Sequence, residues 1–277
     1  MKLKNMMALA LAAALTLTMA GCSKKEEESN TLRVAMECAY APFNWTQSDD
    51  SNGAYPIADS NDYAYGYDVM MAIDIAEAAG MELEIVKMDW DALIPALQSG
   101  SVDMVIAGQC ITSDRAAQVD FSDPYYYAYI VSLVKSDGDF ASAQGITDFA
   151  GASATSQLGT VWYDTMLPQV ENIELLPAQE SVPAMLVALD SGAVDLVVTD
   201  QPTALAACQA YTGLTMLDFA SGDDNFEINE EDVVMGISVK QGNTDLLDIV
   251  NEYLSQYDEA DFSDMMNAAI EVQPLNQ

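Results

Sequence analysis

The sequence predicts an α/β protein built from two similar halves. From Thr31 to Ala107, strand-like and helix-like segments alternate as strand, helix, strand, helix, strand. That order implies a parallel sheet with right-handed crossovers. A unit of the same kind restarts after Lys135. The chain has 277 residues, 51% of them apolar, which is enough to bury two such units and too apolar for intrinsic disorder.

The opening segment reads as lying outside the fold. Lys2 and Lys4 make a positive start, and residues 6–19 are an apolar run too short to cross a bilayer comfortably. The run ends in Met19-Ala20-Gly21-Cys22, small residues before a cysteine, which resembles the bacterial lipobox. The resemblance implies removal of residues 1–21 as a signal peptide and lipidation of Cys22. An ordinary secretion signal with an incidental cysteine is the alternative. Residues 22–30 read as a charged, flexible tether. The expected product is exported and anchored to the outer face of the cell membrane through Cys22.

Leu32-Arg33-Val34-Ala35-Met36 alternates as a short strand. Residues 47–62, rich in Asp, Asn, Ser and Gly, read as a long surface loop. Within it, residues 48–53 faintly resemble a calcium loop, but Ser48 stands in the first ligand position and no helix precedes it, so no metal is expected. Residues 67–79 carry Val69, Ala72, Ile73, Ala76 and Ala79 at helical spacing, with Gly80 as the terminating cap. A strand over 83–86, a helix from Asp91 closed by Gly100 and a buried strand over 102–107 complete the first unit. In the second, 146–149 is a connector, 152–156 a strand, 160–166 a helix, 173–176 a strand and 181–189 a helix. A buried strand over 194–198 leads to a helix over 202–211. A strand over 233–239 and helices over 244–255 and 262–269 close the chain.

Composition excludes several functions. Nine Lys and Arg stand against 44 Asp and Glu, a formal net charge of −35, and signal removal would take two of the nine. Such a chain has no footprint for nucleic-acid phosphates and none for electrostatic docking on anionic lipid. It has no histidine, which removes His-based catalysis and His metal sites. With Cys22 assigned to lipid, Cys38, Cys110 and Cys208 remain. Cys38 and Cys110 both follow strands of the first half and suit either a disulfide or packed free thiols; Cys208 reads as a small buried helix residue.

Three stretches make the reading specific. They are Glu37-Cys38-Ala39-Tyr40-Ala41-Pro42-Phe43; then Asp89-Trp90-Asp91-Ala92-Leu93-Ile94-Pro95-Ala96-Leu97 with Gly100 and Asp103; and Ala107-Gly108-Gln109-Cys110-Ile111-Thr112-Ser113-Asp114-Arg115 followed by Val119-Asp120-Phe121-Ser122-Asp123-Pro124-Tyr125-Tyr126. With Val198-Thr199-Asp200, they resemble in succession the family 3 extracellular solute-binding proteins, which deliver amino acids to ABC importers. One departure is Met70, where a second acid would follow Gly66-Tyr67-Asp68-Val69. The resemblance implies a two-lobed periplasmic-binding-protein-like fold of type II, two α/β lobes joined by two hinge strands. Lobe 1 would span 31–130 and 236–277, and lobe 2 would span 131–235, with the hinge carried near 127–133 and 232–236.

A zwitterionic amino acid in a dry cleft needs donors for its carboxylate, acceptors for its ammonium and a pocket for its side chain. Arg115 can grip a carboxylate through two parallel hydrogen bonds; its alternative is a surface pair with Asp120 or Asp123. Gly159, Thr160 and Val161 open a helix whose N–H groups suit a carboxylate, although Thr160 could be a simple cap. Asp200 ends a buried strand at the sheet edge where open α/β folds bind ligands. There it would accept the ammonium or merely cap the next helix. The carbonyls of Ala107 and Gly108 would complete the ammonium shell, and Cys110 stands where relatives often carry Ser. By resemblance, Tyr40 and Trp90 would sandwich the ligand's stem and Glu37 would reach a cationic end; core packing and a solvated loop acid are the alternatives.

The expected function is binding without catalysis or cofactor: capture of Arg, Lys, ornithine or His, with Gln next, by hinge closure, and delivery to the permease subunits of an ABC importer by a chain acting as a monomer. A cleft enzyme of the cyclic-acid dehydratase type and a sensory or adhesive surface lipoprotein are the competing classes.

Overall fold

The computed structural model describes residues 30–274. The expected signal peptide, the lipidated Cys22 and all of the tether but Asn30 lie outside them. Among the described residues no helix is long and apolar enough to cross a membrane.

Two five-stranded sheets form the frame. The first is built on β1 (Thr31–Met36), which pairs in parallel with β6 (Glu82–Lys87) and with β7 (Met104–Val105). Two antiparallel strands complete it, β14 (Val234–Val239) and β8 (Asp120–Tyr127), in the order β6-β1-β7-β14-β8. The second repeats the plan. β10 (Ser153–Thr155) pairs in parallel with β11 (Glu174–Leu175) and β12 (Leu196–Asp200). β9 (Ile130–Lys135) and β13 (Leu214–Leu217) add to it antiparallel, in the order β11-β10-β12-β9-β13. The expected parallel sheets are therefore the parallel cores of two mixed sheets. The chain passes from one sheet to the other between β8 and β9 and returns into β14. At the crossing, the Ala128 N–H donates to the Val233 carbonyl at 2.7 Å.

Helices cover the sheets where the apolar spacing requires it. α1 (Tyr67–Ala79) buries Tyr67, Met71, Ala72 and Ile75 completely, and its last turn is closed by left-handed Gly80 (φ 66°). α2 (Leu93–Ser99) buries Leu93 and Leu97 and ends at Gly100 (φ 77°), after a short 3-10 turn over Trp90–Ala92. α3 (Ser113–Ala116) is a single turn capped by the Thr112 hydroxyl. α4 (Val182–Asp190), capped by Ser181, and α5 (Gln201–Ala210), capped by Asp200, serve the second sheet. The one-turn α6 (Glu230–Val233) precedes β14, and α7 (Thr244–Leu254) and α8 (Glu259–Val272) end the described chain.

The structure corrects several expectations. Residues 47–62 are no plain loop: β4 (Tyr55–Pro56) pairs with β5 (Tyr63–Tyr65), which pairs with β3 (Asn44–Gln47) and through it with β2 (Ala39–Tyr40), a small antiparallel sheet. Its tyrosines favour strands, and its polar turn is tied by the Gln47 amide to the carbonyls of Asp49 and Ser51. The helix expected over 160–166 is a π turn (Trp162–Met166) followed by a 3-10 turn (Leu167–Gln169), where Pro168 supplies no N–H to continue a helix. Residues 102–107 are buried except half-buried Asp103, but only Met104–Val105 pairs as a strand. Cys208 is half-buried, while Cys38 and Cys110 are buried; all three are free thiols, without the disulfide that Cys38 and Cys110 could have formed.

Gly66, before α1, has φ 130°, and a Cβ built on it would lie 2.3 Å from the Phe43 carbonyl oxygen. The Asp68 N–H donates to that same carbonyl at 2.8 Å, so the helix start cannot retreat without losing a buried bond. Gly66→Ala should lower stability by about 2 kcal/mol or more, read as a lower urea midpoint at unchanged slope.

Candidate functional site

The site is assembled at the strand ends where the two sheets meet. The segment leaving β1 turns at Cys38, a non-glycine residue in the left-handed region (φ 53°), which is held by its N–H donating to Asn44 Oδ1 at 2.8 Å. The turn places Glu37 and Tyr40 on the cleft side. The Tyr40 ring stacks on Phe43, with centroids 4.6 Å apart, and its hydroxyl donates to Asp200 Oδ2 at 2.6 Å. Asp200, fully buried at the end of β12, also accepts the Thr203 N–H at 2.9 Å through Oδ1. The capping role weighed for Asp200 is thus real, and its other oxygen, Oδ2, accepts the hydroxyls of Tyr40 and Thr199. Burial raises the Asp200 pKa, and the hydrogen bonds from Tyr40 and Thr203 oppose that rise.

Glu37 is buried and accepts Gln157 Nε2 at 2.8 Å. Burial pushes its carboxyl up to about 7, the charge of Asp89 adding and the Gln157 hydrogen bond opposing. Gln157 follows β10, so this bond also joins elements of the two sheets.

Arg115 extends from α3. Its Nη1 donates to the Cys110 carbonyl and its Nη2 to the Gly159 carbonyl, both at 2.9 Å. The guanidinium lies over the Trp90 ring at 5.2 Å from the centroid. It forms no pair with Asp120 or Asp123. Burial lowers its pKa, against the charge of Asp164. A cavity of about 290 Å³ opens beside it, lined by Thr112, Gly159, Thr160, Asp164 and Asp232 among others.

Thr160 is buried and donates to the Gln157 carbonyl at 2.7 Å, closing the turn through left-handed Gly159 (φ 67°). Gly108 is also left-handed (φ 62°). A Cβ there would lie 2.6 Å from Tyr40 Cε1, and its N–H donates to the Tyr125 hydroxyl at 2.9 Å. Ala107 and Val161 are buried next to these glycines and bring no side-chain polar group. The Cys110 thiol donates to the Asp232 carbonyl at 3.3 Å, so it points to the crossover and leaves only its backbone to the site; burial pushes this thiol up to about 12.

The structure therefore brings together Glu37, Tyr40, Trp90, Gly108, Arg115, Gly159, Thr160 and Asp200. Sequence reasoning missed Gln157. The signal that found Asp200, a polar residue just past a buried strand, could also have found it. Two buried acids and one half-buried guanidinium, walled by aromatic rings, give a small site able to hold a solute through paired charges.

Comparison with known proteins places the fold in a family. Residues 32–267 match the model of the bacterial extracellular solute-binding proteins, family 3. The arginine-binding extracellular protein ArtP of Bacillus subtilis is 34% identical over 163 residues, covering 57% of this chain and 58% of that protein. The L-cystine-binding protein TcyJ of Escherichia coli K12 is 27% identical over 92% of this chain and 88% of its own. Among solved structures, an amino acid ABC transporter substrate-binding protein from Streptococcus pneumoniae bound to L-arginine superposes with a TM-score of 0.75 at 25% identity, covering 88% of this chain and 95% of that one. An ancestral arginine-binding protein, solved with arginine, is 31% identical with a TM-score of 0.68 over 86% of this chain and 97% of its own. These likenesses carry the two-lobed type II binding-protein architecture over to the two sheets. On the match over 32–267, the chain belongs to the bacterial extracellular solute-binding proteins, family 3.

Proposed function

We propose that this chain is the substrate-binding component of an ABC importer for a basic L-amino acid, with glutamine as the next candidate. It would capture its ligand between the lobes and present the closed form to the permease subunits. The observation that carries the reading is the charge balance of the cleft. Glu37 and Asp200 supply two carboxylates and Arg115 one guanidinium. An L-amino acid with a cationic side chain carries the complement, two cations and one carboxylate. Buried charges are tolerated only when paired, so such a ligand would leave none uncompensated.

The roles follow from position. The α-carboxylate would take the guanidinium of Arg115 and the N–H groups at Gly159, Thr160 and Val161; the α-ammonium would take Asp200 and the carbonyls at Ala107 and Gly108; the side chain would pass Tyr40 and Trp90 to Glu37. Closure would be driven by differential affinity, since only the closed form offers contacts from both lobes. The lobes would be 31–130 with 236–277 and 131–235, flexing at the two crossings, and the exported chain would be tethered by lipid on Cys22. Relatives described as arginine-, histidine- and cystine-binding, and the ancestral arginine-binding protein solved with both arginine and glutamine, support an amino acid as the ligand class.

The first test is a thermal-shift screen of the exported chain against the twenty amino acids with ornithine and cystine. A ligand at 100 times its Kd adds about 2.7 kcal/mol of stability, so Arg, Lys, ornithine or His should raise the melting temperature clearly. Arg115→Ala should weaken that binding by about 100-fold or more. A shift with Gln or cystine alone would replace the cationic ligand, and silence across the panel after refolding from denaturant would overturn amino-acid binding.

The second test is proton linkage. In the free protein Glu37 holds its proton up to about 7. A cation placed beside it would draw its pKa down, so binding would release a proton. Affinity for arginine should therefore rise as pH goes from 5 to 7 and level off above. Calorimetry in buffers of different ionisation enthalpy should find about 0.5 proton released from Glu37 at pH 7. Glu37→Gln should remove that share and weaken arginine about 10- to 100-fold while sparing glutamine.

A further inference from the structure

Behind the cleft a buried hydrogen-bond network runs from α1 to both backbone walls of the site, and nothing in the proposed ligand contacts uses it. Asp68, fully buried in the first turn of α1, accepts Asn44 Nδ2 at 2.7 Å on one oxygen and the Tyr125 hydroxyl at 2.9 Å on the other. Each partner then passes the bond on. Asn44 Oδ1 accepts the Cys38 N–H at 2.8 Å, and the Tyr125 hydroxyl oxygen accepts the Gly108 N–H at 2.9 Å. Cys38 and Gly108 are both left-handed, and they flank the segments that present Glu37 and Tyr40.

We propose that Asp68 is a positioning residue of the cleft, whose carboxylate fixes the hydrogen-bond polarity of the two walls at Cys38 and Gly108. The inference rests on the reading of this cleft as the ligand site. Donor counting fixes the direction of each bond. A backbone N–H can only donate, so Cys38 must face the oxygen end of the Asn44 amide, which turns its NH2 end toward Asp68. The Tyr125 hydroxyl has one proton. To accept from Gly108 in this line it sends that proton to Asp68. Both chains therefore end on the same group, and that group must accept twice, which an ionised carboxylate does without conflict. A protonated Asp68 has one O–H of its own to place. It must then turn either Asn44 or Tyr125 around and set two donors against each other at Cys38, or leave a hydroxyl proton unpaired at Gly108. In a dry network either fault is expensive.

The groups facing Asp68 are Tyr67 on its own helix, Tyr125 on β8, Cys38 on the segment before β2 and the neutral Asn44 on β3. Burial raises the pKa of Tyr67, Tyr125 and Cys38, so all three keep their protons between pH 5 and 8. The chain has no histidine to titrate in that range. Burial pushes Asp68 itself up to about 7, against the hydrogen bonds from Asn44 and Tyr125. Asp200 comes from the second sheet, whereas Glu37 adjoins the Cys38 peptide directly; its contribution must be removed to see that of Asp68.

The test is a pH titration of backbone amides by NMR on the exported, 15N-labelled chain carrying Glu37→Gln. The Cys38 and Gly108 amides should shift together in one step with a midpoint near 7. Adding Asp68→Asn should abolish the step at both, and should weaken L-arginine by about 10-fold at pH 8. Adding Tyr125→Phe instead should abolish the Gly108 step and keep the Cys38 step, a split that general destabilisation would not produce. Persistence of both steps in Asp68→Asn would overturn the proposal, as would a Gly108 step unchanged in Tyr125→Phe. If Asp68→Asn does not fold, Tyr125→Phe decides alone. The amide shifts need no ligand, so a chain that ignores L-arginine fails the functional reading without deciding this one.

Discussion

Much of the architecture follows from one constraint, the burial of the Asp200 carboxylate at the end of β12. A buried carboxylate needs donors on both oxygens. α5 supplies one through the Thr203 N–H, as any helix could. The other oxygen takes the neighbouring Thr199 hydroxyl at 3.3 Å and, more closely, the Tyr40 hydroxyl, which arrives from a strand paired in the small sheet beyond β1. A local helix cap thus becomes a tie between distant parts of the chain. The Gln157–Glu37 bond and the bond from Arg115 to the Gly159 carbonyl follow the same pattern. Apolar packing builds each sheet's core, whereas these bonds between elements of the two sheets are made by polar groups that a solute of the right charge can compete for. That difference suits the proposed reading, in which the cores are permanent and the cleft opens and closes.

The glycines of the cleft serve the same end. Gly108 lets the Tyr40 ring lie against bare backbone, and Gly159 brings a carbonyl up to Arg115 beside the Trp90 ring. A side chain at Gly108 would displace Tyr40 and leave Asp200 short of a donor. The two halves of the site are therefore coupled through shape as well as charge.

The parallel cores were legible because their signal is local. Residues 67–79 show the 3.6-residue period that α1 buries, and Gly80 and Gly100 mark helix ends by the left-handed conformation they adopt. The antiparallel strands were less legible because pairing is long-range. Residues 130–135 are buried at almost every position and show no alternation, and only their partners in β12 and β13 make them a strand. The small sheet over 39–65 was hidden by composition, since Asp, Asn and Ser outnumber the tyrosines that pair. In the cleft, Arg115, Asp200 and Glu37 stood out as charges near strand ends. Gln157 did not, because an amide between a strand and a glycine has many ordinary uses. Asn44, Asp68 and Tyr125 were invisible as a group, because what joins them is a direction of hydrogen bonds across three separate elements.

The net charge of −35 gains a meaning once the cleft is in view. Among the described residues a single ion pair forms, Arg33 with Asp103 at 2.8 Å, so almost all the acids stand without a basic partner. Their common field reaches about 10 Å into 0.1 M salt and draws cations toward the surface without distinguishing among them. On the proposed reading, discrimination would come from the few charges of the cleft, where burial limits screening by water and salt. On that reading two roles separate there: the exposed acids would raise the rate of encounter, while Glu37, Asp200 and Arg115 would set what stays. An exposed acid could move without changing what the cleft holds. Moving Glu37 or Asp200, both buried, would strand a charge in a place that tolerates it only in pairs.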